Sequence, residues 1–183
     1  YDNEAYMNTG VQRSSATPPT ARTATTPAVG PEPGNVFGTG KNLPLIAMAH
    51  NIPYVATASV ANLHDLERKV EKAMAMRGAR YIHIFVPCPL GWGSASHDTI
   101  RIARLASECG LFPLFEAEHG ELTGSLPIRR KVPIEEYLRP QKRFAHLFKD
   151  GADGVERIAR LQRMADANIA RFGLLREAEE APR

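Results

Sequence analysis

The sequence has 183 residues, of which 43% are hydrophobic and 23% charged, values typical of a globular protein with a substantial core. The formal net charge is only +3, which argues against a nucleic acid as the partner. No apolar run is long enough to cross a membrane, and two cysteines are too few for a disulfide framework, so we expect a cytoplasmic protein.

Residues 13–44 are interrupted by Pro and Gly throughout, which predicts a long loop without a long helix or a central strand. Short apolar strands then alternate with helices as far as residue 116. The predicted elements are a helix at 43–50, a strand at 52–57, a helix after Ser59, a strand at 81–86, a helix at 98–109 and a strand at 111–116. This alternation predicts an α/β fold with a doubly wound parallel sheet.

The helix after Ser59 has apolar residues at spacings of three and four, which predict the face that packs on the sheet. These residues are Val60, Leu63, Leu66, Val70 and Met74. Ser59 is the predicted N-cap of this helix, and Gly78 suits the position just after its end.

The C-terminal part begins with a basic stretch, because residues 126–149 contain seven Lys or Arg against two Glu. Such a stretch is typical of a solvated face or a subunit contact, and phosphate binding is the alternative. A predicted amphipathic helix follows, with its apolar stripe at Val155, Ile158, Leu161, Met164, Ala165, Ile169 and Phe172. Terminal helices of this kind pack on their own domain or on a neighbouring subunit, and we favour the neighbour.

The opening segment, YDNEAYMNTG, supports two interpretations. Asn-Thr-Gly is typical of a turn, so the segment can simply end a strand. Alternatively it forms a Mg²⁺ site for a diphosphate, because an Asn amide oxygen and a backbone carbonyl two residues later can reach the same ion.

Cys88 lies between two prolines directly after the predicted strand at 81–86. Ligands bind at such strand ends in doubly wound sheets, and rigid backbone suits a metal ligand. The alternative is that Cys88 is a small buried hydrophobe, which is the assignment we make for Cys109 on the inward face of its helix. The six histidines show no spacing typical of a metal pair, and none is assigned a catalytic role.

Four ordered segments carry a family resemblance: YDNEAYMNTGVQRSSATP (1–18), AHNIPYVATAS (49–59), IHIFVPCPLGW (82–92) and VPIEEYLRPQKRFAHLF (132–148). They resemble the thiamine diphosphate-binding β subunits of 2-oxoacid:acceptor oxidoreductases, of the pyruvate:ferredoxin oxidoreductase or phenylglyoxylate dehydrogenase type. The resemblance implies an α/β fold of the thiamine diphosphate-binding type with a C-terminal helical extension.

The resemblance also implies roles for individual residues. Asn3 would ligate Mg²⁺ through its side chain, and Ala5 would give its main-chain carbonyl to the same ion. Asn8 would lie beside the reactive end of thiamine diphosphate and contact the substrate, as the one catalytic residue assigned here. Cys88 would be a ligand of a [4Fe–4S] cluster, since thiolates hold such clusters.

Two features that the family pattern requires are missing from residues 1–183: a Gly-Asp-Gly whose Asp is a further Mg²⁺ ligand, and three other cluster cysteines. The chain does not begin with Met, and its opening has no features of a secretory signal. We therefore expect that a segment preceding Tyr1 carries both features. Residues 1–125 would be the C-terminal part of a thiamine diphosphate-binding domain, and residues 126–183 a subunit-contacting basic segment and helix.

The implied reaction is the oxidative decarboxylation of a 2-oxoacid, pyruvate or an aromatic one such as phenylglyoxylate, to acyl-CoA and CO₂. The implied partners are coenzyme A, the other subunits of the complex, and a ferredoxin or a reductase subunit that takes the electrons from [4Fe–4S] clusters. Two other classes stay open. One is a thiamine diphosphate carboligase or decarboxylase without redox centres, and the other is a non-catalytic interaction subunit.

Overall fold

The computed structural model describes residues 1–30 and 32–175, and this part of the chain is an α/β fold. The strands are β1 (Ala5–Tyr6), β2 (Gln12–Arg13), β3 (Tyr54–Ser59), β4 (Arg80–Phe85), β5 (Phe115–Glu118) and β6 (Glu121–Ser125). The helices are α1 (Leu43–Ala49), α2 (Leu63–Ala75), α3 (Pro89–Trp92), α4 (Thr99–Glu108), α5 (Ile134–Leu138) and α6 (Gly151–Phe172). Short 3-10 helices lie at Ser96–Asp98 and Lys142–Phe148.

The main sheet has the strand order β4-β3-β5-β6. Strands β3 and β4 are parallel, whereas β5 runs antiparallel to β3, and β6 runs antiparallel to β5. The predicted α/β class, the loop before α1 and the terminal helix are confirmed. The prediction that all strands are parallel is wrong, because the described sheet is mixed.

A tight hairpin accounts for the antiparallel part of the sheet. His119 and Gly120 connect β5 to β6, and both have positive φ, at 49° and 83°, as a two-residue hairpin turn of type I′ requires. Such a turn can join only antiparallel strands. The sequence analysis predicted β5 approximately and missed β6, whose residues are mostly exposed and polar.

Residue Asp2 extends the sheet beyond β4. Its backbone N–H donates to the carbonyl of Ile84, and its carbonyl accepts from the N–H of Val86, both at 2.8 Å. Asp2 therefore pairs in parallel with Phe85 at the carboxyl end of β4. This pairing brings the residues that follow Asp2 to the same edge as the residues that follow β4, which are the two segments with predicted site residues.

Helix α2 packs on the sheet through a different face from the one predicted. Leu63, Val70 and Met74 are exposed, and the buried residues of the helix are Asp65, Lys69 and Ala73. The predicted N-cap is also wrong. Ser59 is the last residue of β3, and the helix begins after Asn62. It ends at Ala75, so Gly78 lies beyond the predicted position, in a turn with φ of +101°.

Buried ion pairs explain why α2 packs through its charged face. The Lys69 ammonium is 1% exposed, and it donates to the Asp65 carboxylate at 2.6 Å and to the Thr57 carbonyl at 2.9 Å. Burial lowers the pKa of Lys69, and the hydrogen bond to Asp65 opposes that shift. Arg68 also donates to Asp65, so the carboxylate has two cationic partners. The spacing of apolar residues in the sequence does not predict a buried ion pair of this kind.

A second carboxylate fixes α2 to the sheet. Glu116 on β5 accepts from Tyr54, Arg68 and Lys72 at 2.6–3.0 Å. Burial alone would raise the pKa of Glu116, but these hydrogen bonds lower it to about 2. Glu116 is therefore ionised at neutral pH.

The main core lies on the opposite face of the sheet, between the strands and the helices α4, α5 and α6. Helix α4 buries Ile102, Leu105, Ala106 and Cys109 at its C-cap, as predicted. The predicted stripe of α6 is buried at Leu161, Ala165, Ile169 and Phe172 against this core, whereas Val155 is exposed. The stripe therefore packs on its own chain, and the preference for a neighbouring subunit at this surface is wrong. A subunit contact by residues 126–183 stays a prediction. Residues 176–183 lie outside the described part.

Replacing Lys69 with Met tests whether the buried ion pair stabilises the fold. The variant keeps the length of the side chain but leaves the buried Asp65 carboxylate with the half-exposed Arg68 as its remaining cationic partner, so we expect a loss of about 3 kcal/mol in the free energy of unfolding. Urea denaturation measures this change. Substituting both Lys69→Met and Asp65→Leu should recover most of the loss, because no uncompensated buried charge remains.

The matched control is the exposed ion pair between Arg163 and Glu156, which is 2.6 Å long. Solvent screens such a pair, so Arg163→Ala should change the free energy of unfolding by less than about 0.5 kcal/mol. Equal losses in Lys69→Met and Arg163→Ala would contradict the assignment of Lys69 as a buried structural charge.

Candidate functional site

Asn3, Ala5 and Asn8 lie on and beside the small hairpin of β1 and β2. The register pairs Ala5 with Arg13 and Tyr6 with Gln12. The turn between the strands carries Asn8, which is exposed. The side chain of Gln12 holds this turn, because its amide donates to the Thr9 carbonyl and its oxygen accepts from the Thr9 hydroxyl. This geometry is compatible with both interpretations of the opening segment, a simple turn and a Mg²⁺ site.

Two main-chain oxygens of the predicted Mg²⁺ segment, those of Asn3 and Glu4, accept hydrogen bonds within the described fold, whereas the Asn3 side chain does not. The Asn3 carbonyl accepts from the Trp92 indole at 2.9 Å, and the Glu4 carbonyl accepts from the Thr17 hydroxyl at 2.5 Å. The Asn3 amide makes no hydrogen bond within residues 1–30 and 32–175. An amide oxygen is a suitable ligand for Mg²⁺, so Asn3 fits the predicted role.

Cys88 lies at the start of α3, where it is the N-cap residue and half-buried. Its carbonyl accepts from the backbone N–H of Trp92 at 2.9 Å, which fixes the backbone around the thiol. Cys109 differs from Cys88 in its burial and in the hydrogen bond of its thiol. It is fully buried, its thiol donates to the Ala106 carbonyl, and burial raises its pKa to about 12, so it stays a thiol. The assignment of Cys109 to the core is confirmed.

Trp92 brings the two predicted sites together, although the sequence analysis gave it no role. Its indole N–H donates to Asn3, its backbone N–H donates to Cys88, and its side chain is 1% exposed. The ring packs against Phe85 with the centroids 5.7 Å apart. The buried Trp92 side chain therefore contacts the predicted Mg²⁺ segment at Asn3, and the helix that ends at Trp92 begins directly after the predicted cluster ligand, Cys88.

Arg143 lies on the other side of Trp92, with its guanidinium carbon 3.7 Å from the ring centroid. The same guanidinium forms a 2.5 Å ion pair with Glu4 and donates to the Gln141 side chain at 2.8 Å and to the Tyr137 hydroxyl at 3.1 Å. The Arg143 side chain is 3% exposed. It is thus the buried member of a stretch that the sequence analysis interpreted as a solvated face or a subunit contact.

Glu4 is the third residue of this cluster, after Trp92 and Arg143, to which the sequence patterns assign no role. It is 8% exposed, and its backbone has a φ of +61°, which is unusual for a residue with a Cβ. Burial raises the pKa of Glu4, whereas the adjacent Arg143 guanidinium lowers it and favours the carboxylate form. For Arg143, one feature of the sequence does indicate a buried position. Arg143 lies in a segment whose aromatic residues recur at helical spacing, which indicates that one side of the segment faces inward.

The described residues contain no group of three or more His, Cys, Asp or Glu side chains that could hold a metal ion together. A Mg²⁺ ion held by the amide oxygen of Asn3 and the carbonyl of Ala5 would therefore need further oxygen ligands besides these two. Cys88 would likewise be one of the four thiolates that a [4Fe–4S] cluster needs, and the described residues contain only one other cysteine, the buried Cys109.

His146 lies in the same 3-10 helix as Arg143 and is buried, with 5% of its surface exposed. Burial, reinforced by the nearby Arg22 guanidinium, lowers the pKa of His146 to about 4. The imidazole is therefore neutral in the folded protein at neutral pH.

This shift predicts an acid-sensitive fold. In the unfolded chain the imidazole binds a proton below about pH 6.5, whereas in the folded protein it does so only near pH 4. The stabilisation is present above pH 6.5 and is lost as the pH falls through that window. We expect His146→Gln to reduce the loss of unfolding free energy between pH 7 and pH 5 by about 1–2 kcal/mol.

The control for this measurement is His97→Gln, because the His97 side chain is 86% exposed. Its pH dependence of stability should match that of the unsubstituted chain. Urea denaturation at pH 7, 6 and 5 gives the comparison. Parallel stability curves for His146→Gln and the unsubstituted chain would contradict the prediction.

No helix within the described residues has both the length and the apolar character needed to cross a bilayer. The chain is 51% identical over 173 residues to pyruvate synthase subunit PorB of Methanosarcina barkeri, which covers 94% of this chain and 58% of that protein. It is 44% identical over 174 residues to pyruvate synthase subunit PorB of Methanocaldococcus jannaschii, covering 95% of this chain and 56% of that protein.

A relative named for a different substrate is nearly as similar. The chain is 45% identical over 159 residues to ketoisovalerate oxidoreductase subunit VorB of Pyrococcus abyssi, covering 86% of this chain and 51% of that protein. No family model matches the sequence. The chain spans somewhat more than half the length of these curated relatives.

Proposed function

This chain belongs to the family of β subunits of the 2-oxoacid:ferredoxin oxidoreductases, and from that premise we propose that it is part of the thiamine diphosphate-binding subunit of such an enzyme. The proposed reaction converts a 2-oxoacid and coenzyme A to acyl-CoA and CO₂, with the electrons leaving through [4Fe–4S] clusters to ferredoxin or a reductase subunit. The proposed setting is a complex with other subunits in the cytoplasm.

One observation carries this proposal. Trp92 donates hydrogen bonds both to Asn3 and to Cys88, so the segment proposed to bind Mg²⁺ and the cysteine proposed to bind the cluster share one buried residue. A reaction that passes electrons from a bound cofactor to a cluster requires the two groups to be close. A thiamine diphosphate enzyme without redox centres would have no need of this proximity.

Each proposed role follows from the chemistry of the residue. The amide oxygen of Asn3 and the carbonyl of Ala5 are hard ligands that would hold Mg²⁺ against the diphosphate. Asn8, at the exposed tip of the hairpin, would orient the 2-oxoacid through its amide. The thiolate of Cys88 would ligate iron. When bound, thiamine diphosphate supplies the carbanion chemistry that releases CO₂.

Pyruvate is the substrate we propose first, because the relatives of highest identity given above are pyruvate synthase subunits. A branched 2-oxoacid is the second candidate, favoured by the relative named for ketoisovalerate. Phenylglyoxylate, expected from the sequence resemblance, is a third substrate for the assay. Residues 126–183 are proposed to contact the neighbouring subunits.

The Cys88→Ala variant, assembled into the complete complex, tests the redox part of this function. We expect it to lose one [4Fe–4S] cluster, about four irons, per chain, because a cluster of this type needs four thiolates. CoA-dependent reduction of ferredoxin by pyruvate should fall to background, while bound thiamine diphosphate is retained. Iron analysis, visible absorbance and turnover with the three 2-oxoacids measure these outcomes.

Cys109→Ser is the control, because it changes the other cysteine, whose thiol lies in the core. Its iron content should equal that of the unsubstituted complex. If Cys88→Ala also kept its full iron content, Cys88 would not be a cluster ligand. A complex with thiamine diphosphate and no iron would indicate a carboligase or decarboxylase, and a complex with neither would indicate an interaction subunit.

A further inference from the structure

We propose that Arg143 is a positioning residue that holds the Asn3–Ala5 turn and the Cys88 backbone in a fixed relation, through Glu4 and Trp92. This inference rests on the proposed function. It assigns a role to the segment at 132–148, which the proposed reaction does not otherwise use. Arg143 itself would contact neither the cofactor nor the substrate.

Burial of the guanidinium is the first argument. An isolated buried charge is strongly unfavourable, so a buried arginine persists only where its partners compensate for lost hydration. The three polar partners of Arg143 are the carboxylate of Glu4, the side-chain oxygen of Gln141 and the hydroxyl of Tyr137. Two of the three come from its own segment, and only Glu4 belongs to the proposed cofactor turn.

Glu4 transmits this constraint to both proposed Mg²⁺ ligands, because it lies between Asn3 and Ala5. Its side chain is fixed by Arg143, its backbone N–H donates to the Asp2 carboxylate at 2.8 Å, and its carbonyl accepts from Thr17. A left-handed backbone costs a non-glycine residue about 1–2 kcal/mol. The ion pair with Arg143 offsets that cost and so holds the turn in this conformation.

Trp92 transmits the constraint to Cys88. The Arg143 guanidinium lies on the face of the indole, where a cation is attracted to the ring. The indole N–H is then directed at the Asn3 carbonyl, and the backbone N–H of Trp92 donates to the Cys88 carbonyl. Movement of the guanidinium would therefore disturb both sites together.

The chemistry of this position favours arginine over lysine. A planar guanidinium can stack on an indole while its edge donates several hydrogen bonds in fixed directions. A lysine ammonium keeps the charge, but it is compact and cannot satisfy the ring, the carboxylate and the hydroxyl at once. Arg143→Lys therefore removes the positioning while it preserves the buried positive charge that the fold needs.

The test compares Arg143→Lys with Arg139→Lys in the complete complex. Arg139 lies in the same segment and stacks on Phe148 at 4.3 Å, but it is exposed and has no contact with the cofactor turn. The readouts are the Mg²⁺ concentration for half-maximal retention of thiamine diphosphate, and the electron paramagnetic resonance spectrum of the reduced clusters. Neither readout depends on turnover.

For Arg143→Lys we expect an increase of about tenfold or more in the Mg²⁺ requirement, the size of effect typical of residues that orient metal ligands. The cluster spectrum should also change, since the Cys88 backbone loses part of its support. Arg139→Lys should leave both unchanged. Trp92→Phe, which removes only the indole N–H and part of the ring, should raise the Mg²⁺ requirement in the same direction.

A Mg²⁺ requirement for Arg143→Lys within twofold of the unsubstituted complex would overturn the proposal, provided that the unsubstituted complex binds thiamine diphosphate and iron. If Arg143→Lys does not assemble, Trp92→Phe decides the question by the same criterion. An unsubstituted complex that binds neither cofactor would instead refute the proposed function, and the role of Arg143 with it.

Discussion

The ion pair between Arg143 and Glu4 is the interaction on which the described arrangement of the site depends. It joins residues that are far apart in the sequence in a buried position, with the Trp92 ring against the guanidinium. A buried pair of this kind adds little to stability compared with apolar packing of the same volume, but loss of one partner is strongly unfavourable. The positioning role proposed for Arg143 follows from this second property, since a shift of either segment would separate the pair.

The parts of the fold that follow local rules could be predicted from the sequence. Helices α4 and α6 have regular apolar spacing, and they form, like the short α1, close to where the sequence predicts them. Helix α2 forms as predicted but packs through a different face. Leu63, Val70 and Met74 face outward because Asp65 and Lys69 neutralise each other inside, and only the folded geometry reveals that pair.

The residues of the candidate site likewise divide into those that short segments of sequence indicate and those that only the folded geometry reveals. Asn3, Ala5, Asn8 and Cys88 were assigned from short segments of the chain, through their resemblance to a family. Glu4, Trp92 and Arg143 could not be assigned in this way, because their importance lies in contacts between segments that are distant in sequence. The relatives provide the family but not these contacts, which come from the structure.

The hairpin of β1 and β2 has a consequence for the energetics of binding. It contains only two residue pairs, and a hairpin this short is marginally stable by itself. A ligand that binds only the ordered hairpin stabilises it by mass action, to an extent set by the free ligand concentration. Ordering the Asn8 turn on binding would cost entropy and so weaken the affinity for such a ligand. The hydrogen bonds between Gln12 and Thr9 order the turn in advance, and their strength would therefore set part of that affinity.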